Sequence, residues 1–110
     1  MEANINFVGD FSRINDEERG FINKRLEKFK ERHEQDFREM LIHLDMHLHS
    51  ETSRGRPAYY SKLTVHTDRG KFHAEHQDFG GEKSLYGALD KVERQIEKHL
   101  APKPKAPVFE

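Results

Sequence analysis

The chain has 110 residues, of which 34% are hydrophobic and 35% charged, and its formal net charge is −1. This length suits one compact domain with a thin core, and the balanced charge excludes a general basic excess that would bind nucleic acid non-specifically. The lack of cysteine excludes disulfides, thiolate metal sites and a cysteine nucleophile. With no signal peptide and no bilayer-spanning segment, we expect a cytoplasmic protein without a membrane partner.

The first predicted elements are a short strand and a helix. Ile5 and Phe7 alternate with asparagines before Gly9, a pattern typical of a strand with one buried face. Asn15, followed three residues later by Glu18, has the form of a capping box, so a helix should begin there and run to about residue 33 or 34. Its core face is marked at helical spacing by Ile22, Leu26, Phe29 and His33.

Three further strands are predicted between residues 40 and 75. From Met40 to Leu48 every even position is apolar and nearly every odd position is polar, which is the strongest strand signal in the chain. Residues 51–57 contain turn formers without periodicity and should form an exposed hairpin loop carrying Arg54 and Arg56. Two more alternating segments follow, at 62–66 and 72–75, joined by a tight turn in which Gly70 supplies a positive φ.

A second amphipathic helix follows Gly80 and Gly81. Its apolar stripe consists of Leu85, Leu89, Val92, Ile96 and Leu100, over sixteen to nineteen residues. We therefore predict one α+β domain at 1–101 with the order β-α-β-β-β-α, and a Pro-rich tail at 102–110 that is extended or disordered. A right-handed crossover makes the first two strands parallel, and both helices should cover one face of the four-stranded sheet.

Each predicted helix has a basic flank beside its core stripe. On a helical wheel, the cations of the first helix span about 100° and those of the second about 60°. Packed side by side, the flanks would form a seven-cation surface able to follow RNA phosphates. The alternative is that these mixed-charge faces are merely solvated, since neighbouring Glu–Lys pairs stabilise helices by ~0.2–0.5 kcal/mol. The candidate RNA-binding residues are Lys24, Arg25, Lys28, Arg32, Lys91, Arg94 and Lys98.

The predicted second strand also projects a row of histidines from its polar face. His43, Asp45, His47 and His49 project at alternate positions along it, and His66, His73 and Glu75 are candidates for the same face. Histidines so arranged are able to chelate zinc, but a flat row does not make three or four ligands converge, so we predict no metal and no cofactor. Motifs for a nucleophile, a phosphate-cradling loop or paired catalytic acids are also missing, which favours a non-enzymatic protein without a small-molecule substrate.

The order of elements resembles the family of ribosome hibernation-promoting factors and ribosome-associated inhibitors. The resemblance covers residues 3–100. It is carried by Glu-Arg-Gly-Phe-Ile-Asn-Lys-Arg-Leu-Glu-Lys-Phe at 18–29, Ala-Glu-His-Gln-Asp at 74–78, and Leu-Tyr-Gly-Ala-Leu-Asp-Lys-Val-Glu-Arg-Gln-Ile-Glu-Lys-His at 85–99. After Asp78 the sequence departs from the family by two extra residues. Without the second domain of the long members, the chain is similar to the short form.

This resemblance implies a double-stranded-RNA-binding-like fold and a monomer that binds rRNA of the small ribosomal subunit, in the channel used by mRNA and tRNA. It also implies inhibition of translation during stress. Arg25, Lys28, Lys91, Arg94 and Lys98 match family cations expected to face rRNA, whereas Lys24 and Arg32 rest on the wheel alone. Two other classes remain open, namely a metal-responsive module on the histidine face and an adaptor using the tail and loop 51–57.

Overall fold

The computed structural model describes residues 2–9, 14–51 and 57–100. Residues 52–56 of the predicted loop 51–57 and the whole tail 102–110 lie outside these ranges, so the predictions made for them stay predictions. The elements are β1 (Glu2–Gly9), α1 (Asp16–Arg32), β2 (Glu39–Glu51), β3 (Pro57–Thr67), β4 (Gly70–Phe79) and α2 (Gly81–Leu100). This confirms the predicted α+β order, with longer strands and with α2 starting at the second glycine of the pair.

The four strands form one sheet in the order β1-β2-β3-β4. β1 pairs with β2 in parallel, as the right-handed crossover through α1 predicts, and the other two pairings are antiparallel. Gly70 has a φ of 150° in the β3–β4 turn, as expected for that tight hairpin. The register of β2 against β3 shifts between Leu48 and Ser50, beyond the regular alternation that begins at Met40.

The core lies between the sheet and the two helices. The even-numbered residues of β2 and the odd-numbered residues of β3 point towards the helices. The alternating apolar residues of the strands therefore pack against the apolar stripes of the helices in one layer. The opposite face of the sheet, which we call the outer face, carries the polar positions of the strands. The largest contributions to the core come from Ile22, Leu26, Phe29, Ile42, Leu44, Met46, Tyr59, Leu63, Leu85, Val92 and Ile96.

The N-terminus of α1 differs in one detail from the predicted capping box. Asn15 caps the helix as expected, because its Oδ1 accepts a hydrogen bond from the backbone N–H of Glu18 at 2.7 Å. The Glu18 carboxylate points across to α2, where its Oε2 accepts the backbone N–H of Glu82 at 3.0 Å. Glu18 thus caps the second helix, where its negative charge also suits the helix dipole.

Candidate nucleic-acid interface

Two of the four cations on the basic flank of α1 face α2. Arg25 lies between the helices, with its Nε 2.9 Å from Glu82 Oε2, and the Nη1 of Arg32 lies 2.7 Å from Glu93 Oε2. The other two members, Lys24 and Lys28, are exposed and form no ion pair with any residue in the described ranges. The four cations therefore divide into two that join the helices and two that remain directed to solvent.

The side of α2 that meets α1 is acidic. Glu82, Asp90, Glu93 and Glu97 recur at helical spacing on this side. The last three, together with the α1 cations Arg25, Lys28 and Arg32, line a groove of about 260 Å³ between the helices. The basic flank of α1 therefore lies against the acidic flank of α2. The expected continuous seven-cation surface does not form, because carboxylates separate the two groups of cations.

The basic flank of α2 lies on its other side, above β4. Lys91 reaches the sheet edge, where its Nζ donates to the backbone oxygen of Glu75 at 2.8 Å. Gln95 binds the same strand twice, accepting from the N–H of His73 at 3.1 Å and donating to its carbonyl at 2.6 Å. These contacts hold α2 on β4 and direct Lys91 away from the α1 cations.

Arg94 and Lys98 extend from α2 into solvent. Arg94 is paired with Asp90 at 3.1 Å within the helix, but its side chain remains 77% exposed. Lys98 is exposed and has no ion pair among the residues that the structure describes. Lys83, which the sequence analysis did not select, is a further exposed cation eleven residues before Arg94. That separation is about three helical turns, so Lys83 lies on the same side of α2 as Arg94 but about 16 Å away along the helix axis, a spacing that is visible in the sequence.

An aromatic ring accompanies the cations at the start of the groove. The guanidinium carbon of Arg25 lies 4.4 Å from the ring centroid of Tyr86, which is 55% exposed. Such a cation–π contact orients Arg25 and leaves much of the tyrosine accessible. Tyr86 therefore lies at the rim of the groove, and it offers a surface on which a planar group is able to stack.

His33, at the C-terminal end of α1, contacts two carboxylates, Glu93 of α2 and Asp36 of the turn that follows α1. The ring is buried, and its nitrogens lie 2.9 Å from Asp36 Oδ2 and 2.8 Å from Glu93 Oε1. Burial alone would lower the pKa of His33, but hydrogen bonds to Glu93 and Asp36 and the attraction of both carboxylates outweigh it, so this pKa is raised above 6.5. The residue predicted as part of the core stripe is thus a buried polar link.

This link gives the stability of the fold a specific pH dependence. Because the pKa of His33 is raised in the folded state, its stabilising contribution is full below the unfolded pKa of about 6.5 and is lost as pH rises through the folded pKa. Urea unfolding should therefore show a larger excess of wild-type stability over His33→Gln at about pH 5.5 than at about pH 8.5. An excess that is the same at both pH values would contradict the assignment.

The histidines of β2 share the outer face with those of the next two strands. His43 pairs with Thr64 across the sheet and Thr64 pairs with His73, so these residues form one row. Among the described residues, no group of three or more His, Asp or Glu side chains is arranged to hold a metal ion. The side chain of His49 is outside that description. The geometry that is described thus gives the metal-responsive alternative no support.

No helix within the described residues is both long and apolar enough to cross a membrane. The fold is similar to that of two solved structures. The N-terminal domain of Protein Y from Thermus thermophilus aligns with a TM-score of 0.63 at 19% identity, covering 89% of this chain and 98% of that one. A ribosomal subunit interface protein from Coxiella burnetii aligns with a TM-score of 0.62 at 16% identity, with the same coverage of 89% and 98%.

A search of the curated proteins finds no match to the sequence. A family model described as hibernation factor Hib, C-terminal domain, matches residues 5–105 and so includes both helices, strands β2 to β4 and most of β1. This match confirms the resemblance to hibernation factors that the two helices and residues 74–78 indicated, and it agrees with the expectation of a non-enzymatic protein. The chain therefore belongs to the hibernation factor Hib family, through the C-terminal domain of that factor.

Proposed function

We propose that the chain binds rRNA of the small ribosomal subunit in the cytoplasm as a rigid monomer, and that its bulk occludes the mRNA and tRNA sites during hibernation. The observation that carries the proposal is the family match across the whole domain, together with exposed lysines on the solvent side of the helices. The contact would be electrostatic, with lysine ammonium groups on phosphates, and would need no cofactor and no turnover.

The division of the cations refines the expected contact surface. Lys24 and Lys28 on α1, and Lys98 on α2, are exposed and form no ion pair with described residues, so no intramolecular partner has to be released on binding. Arg25 and Arg32 already bind carboxylates, and releasing them would cost interhelical contacts. We therefore assign the main phosphate contacts to the lysines and a positioning role to the two arginines.

Cosedimentation with purified small subunits, combined with an in-vitro translation assay, tests the proposal. Wild-type protein should cosediment at low salt and inhibit translation, and its binding should weaken steeply as salt rises. The double variant Lys24→Glu/Lys28→Glu should bind more weakly, and the slope of log affinity against log salt should fall by about one for each lysine that contacts phosphate.

A matched control makes the same change of charge elsewhere. Lys30 and Arg38 lie outside the basic flank of α1, and Lys30 is paired with Glu27 at 3.2 Å. The variant Lys30→Glu/Arg38→Glu should retain most of the binding if position matters as well as charge. Equal losses in both double variants, or no association of the wild type at low salt, would count against the proposal.

A further inference from the structure

The outer face of the sheet concentrates titratable groups that the proposed rRNA contact does not use. Among the side chains that the structure describes, four histidines project from it, one pair on β2 and one on each of the next two strands: His43, His47, His66 and His73. His47, His66 and His73 are exposed and His43 is half-buried. Both helices pack on the opposite face, so within the described ranges no element covers these rings.

The remaining charges on this face nearly cancel. The ionisable neighbours that the strands contribute are two lysines and three carboxylates, with Tyr60 as a neutral phenol: Lys62, Lys71, Glu39, Asp45 and Glu75. β1 adds the uncharged Asn4, Asn6 and Val8, and its first residue, Glu2, pairs in register with Glu39. When the histidines are neutral, the face is therefore slightly acidic and has little attraction for a polyanion.

Two of the carboxylates lie beside histidines. His47 Nε2 lies 2.7 Å from Asp45 Oδ1, and His73 Nε2 lies 3.0 Å from Glu75 Oε2. The hydrogen bond from Tyr60, with that from His73, holds the pKa of Glu75 below its usual value, so this carboxylate stays charged when the histidines take up protons. Even so, four protonated histidines and two lysines outnumber these three carboxylates, and they do so when Glu2 is counted as a fourth.

The geometry favours an extended partner with regularly spaced negative charge. Side chains on one face of a sheet stand about 4.8 Å apart between strands and about 6.6 Å apart along them, which is close enough to contact successive phosphates. His66 and Lys71 are directly opposite each other in the β3–β4 register, and His43 and His73 flank Thr64. A flat, hydrogen-bonding surface of this kind suits an extended sugar-phosphate backbone better than it suits a small anion, which would need a buried pocket.

We propose that the outer face of the sheet is a second RNA-binding surface, which attracts RNA more strongly on acidification because histidine is the side chain that gains a proton as the pH falls below neutral. Its partner is the phosphate backbone of RNA. The surface lies opposite the helices, so it does not depend on the lysine contacts of the proposed function. Acidification thereby gives the molecule two RNA-binding faces.

Fluorescence anisotropy of the full chain with a labelled RNA hairpin tests this surface. At constant low salt, affinity should rise at least about tenfold between about pH 7.8 and about pH 5.8, with a steeper salt dependence at the lower pH. The variant His43→Gln/His66→Gln should lose about half of this rise in log affinity, because it removes two of the four histidines, neither of which has a carboxylate partner among the described contacts. Circular dichroism at both pH values checks that each variant is folded.

The matched control removes two histidines from the helix-covered side. His76 and His99 pack there, against Gly87 and Phe72 respectively. His76→Gln/His99→Gln should keep the pH-dependent rise, and an equal loss in both double variants would reduce the effect to net charge and overturn the proposal. An equal rise for a polyglutamate peptide of matched charge would overturn RNA as the partner.

The helix variant separates the two proposals. Lys24→Glu/Lys28→Glu should bind the hairpin more weakly at both pH values but keep the rise on acidification. If this variant binds like the wild type at about pH 7.8 and its affinity still rises on acidification, the proposed helix contacts are wrong and the proposed contact of the outer face is supported. If the affinity of the wild type for RNA is independent of pH, the proposal for the outer face is wrong, whatever the result for the helix variant.

Discussion

Replacing Gly87 with alanine should lower the free energy of unfolding by about 1–3 kcal/mol, although alanine favours a helix over glycine by about 1 kcal/mol. Gly87 lies where α2 crosses β4, and a Cβ built there would overlap the imidazole ring of His76, including its Cγ. The overlap involves the base of the ring, so His76 cannot avoid it by moving only its tip. Either α2 or the ring must shift, and chemical denaturation measures the cost.

Gly20 in α1 is the matched control for this substitution. It is also a helical glycine, but a Cβ added to it would meet nothing within 4 Å. Gly20→Ala should therefore stabilise the protein by about 0.5–1 kcal/mol, since only backbone entropy and helix propensity change. Opposite signs for the two substitutions are expected. A Gly87→Ala variant as stable as Gly20→Ala would show that the helix does not press on His76.

Substituting Glu93 with alanine should cost about 1–3 kcal/mol, because one carboxylate satisfies two cationic or polar partners of α1. Its Oε1 lies 2.8 Å from His33 Nε2 and its Oε2 lies 2.7 Å from Arg32 Nη1. The side chain is only 14% exposed, and removing it leaves the buried His33 ring without one of its two partners. Thermal unfolding should show this loss of stability. In the same variant, His33 should contribute less to the pH dependence of stability.

Glu97, one helical turn further along α2, provides the comparison. It lines the same groove and is exposed, with no ion pair to a described residue. Glu97→Ala should change stability by no more than about 0.5 kcal/mol, as for an ordinary surface substitution. A loss as large as that of Glu93→Ala would mean that the groove depends on its total negative charge rather than on the contacts of Glu93.

The cations of this small domain thus fall into two groups. Arg25 and Arg32 contribute to packing, because each bridges α1 to a carboxylate of α2. Lys24, Lys28 and Lys98 make no such bridges within the described ranges and are free to contact a polyanion. A chain with a net charge of −1 is therefore able to present positive side chains locally, provided that its carboxylates are occupied in holding the helices together.

Periodicity in the sequence determined the elements and their order. The alternation from Met40 to Leu48 and the apolar stripes of α1 and α2 predict the sheet, the helices and the parallel pairing of β1, because burial of an apolar face leaves few arrangements for so short a chain. The basic flanks were also visible on a helical wheel. The sequence also identifies Glu18 as a residue at the start of a helix. It does not identify the hydrogen-bond partner of the Glu18 carboxylate, which is the backbone N–H of Glu82 in α2.

What only the tertiary structure decided is which side chains meet across elements. The sequence shows that each helix has a basic and an acidic flank, but not that the acidic flank of α2 faces the basic flank of α1. That pairing depends on the rotation of each helix about its axis, which is fixed by core contacts such as Gly87 on His76 and Gln95 on β4. Charge pattern is a local property, whereas the partner of each charge is set by packing between residues as distant as Arg32 and Glu93.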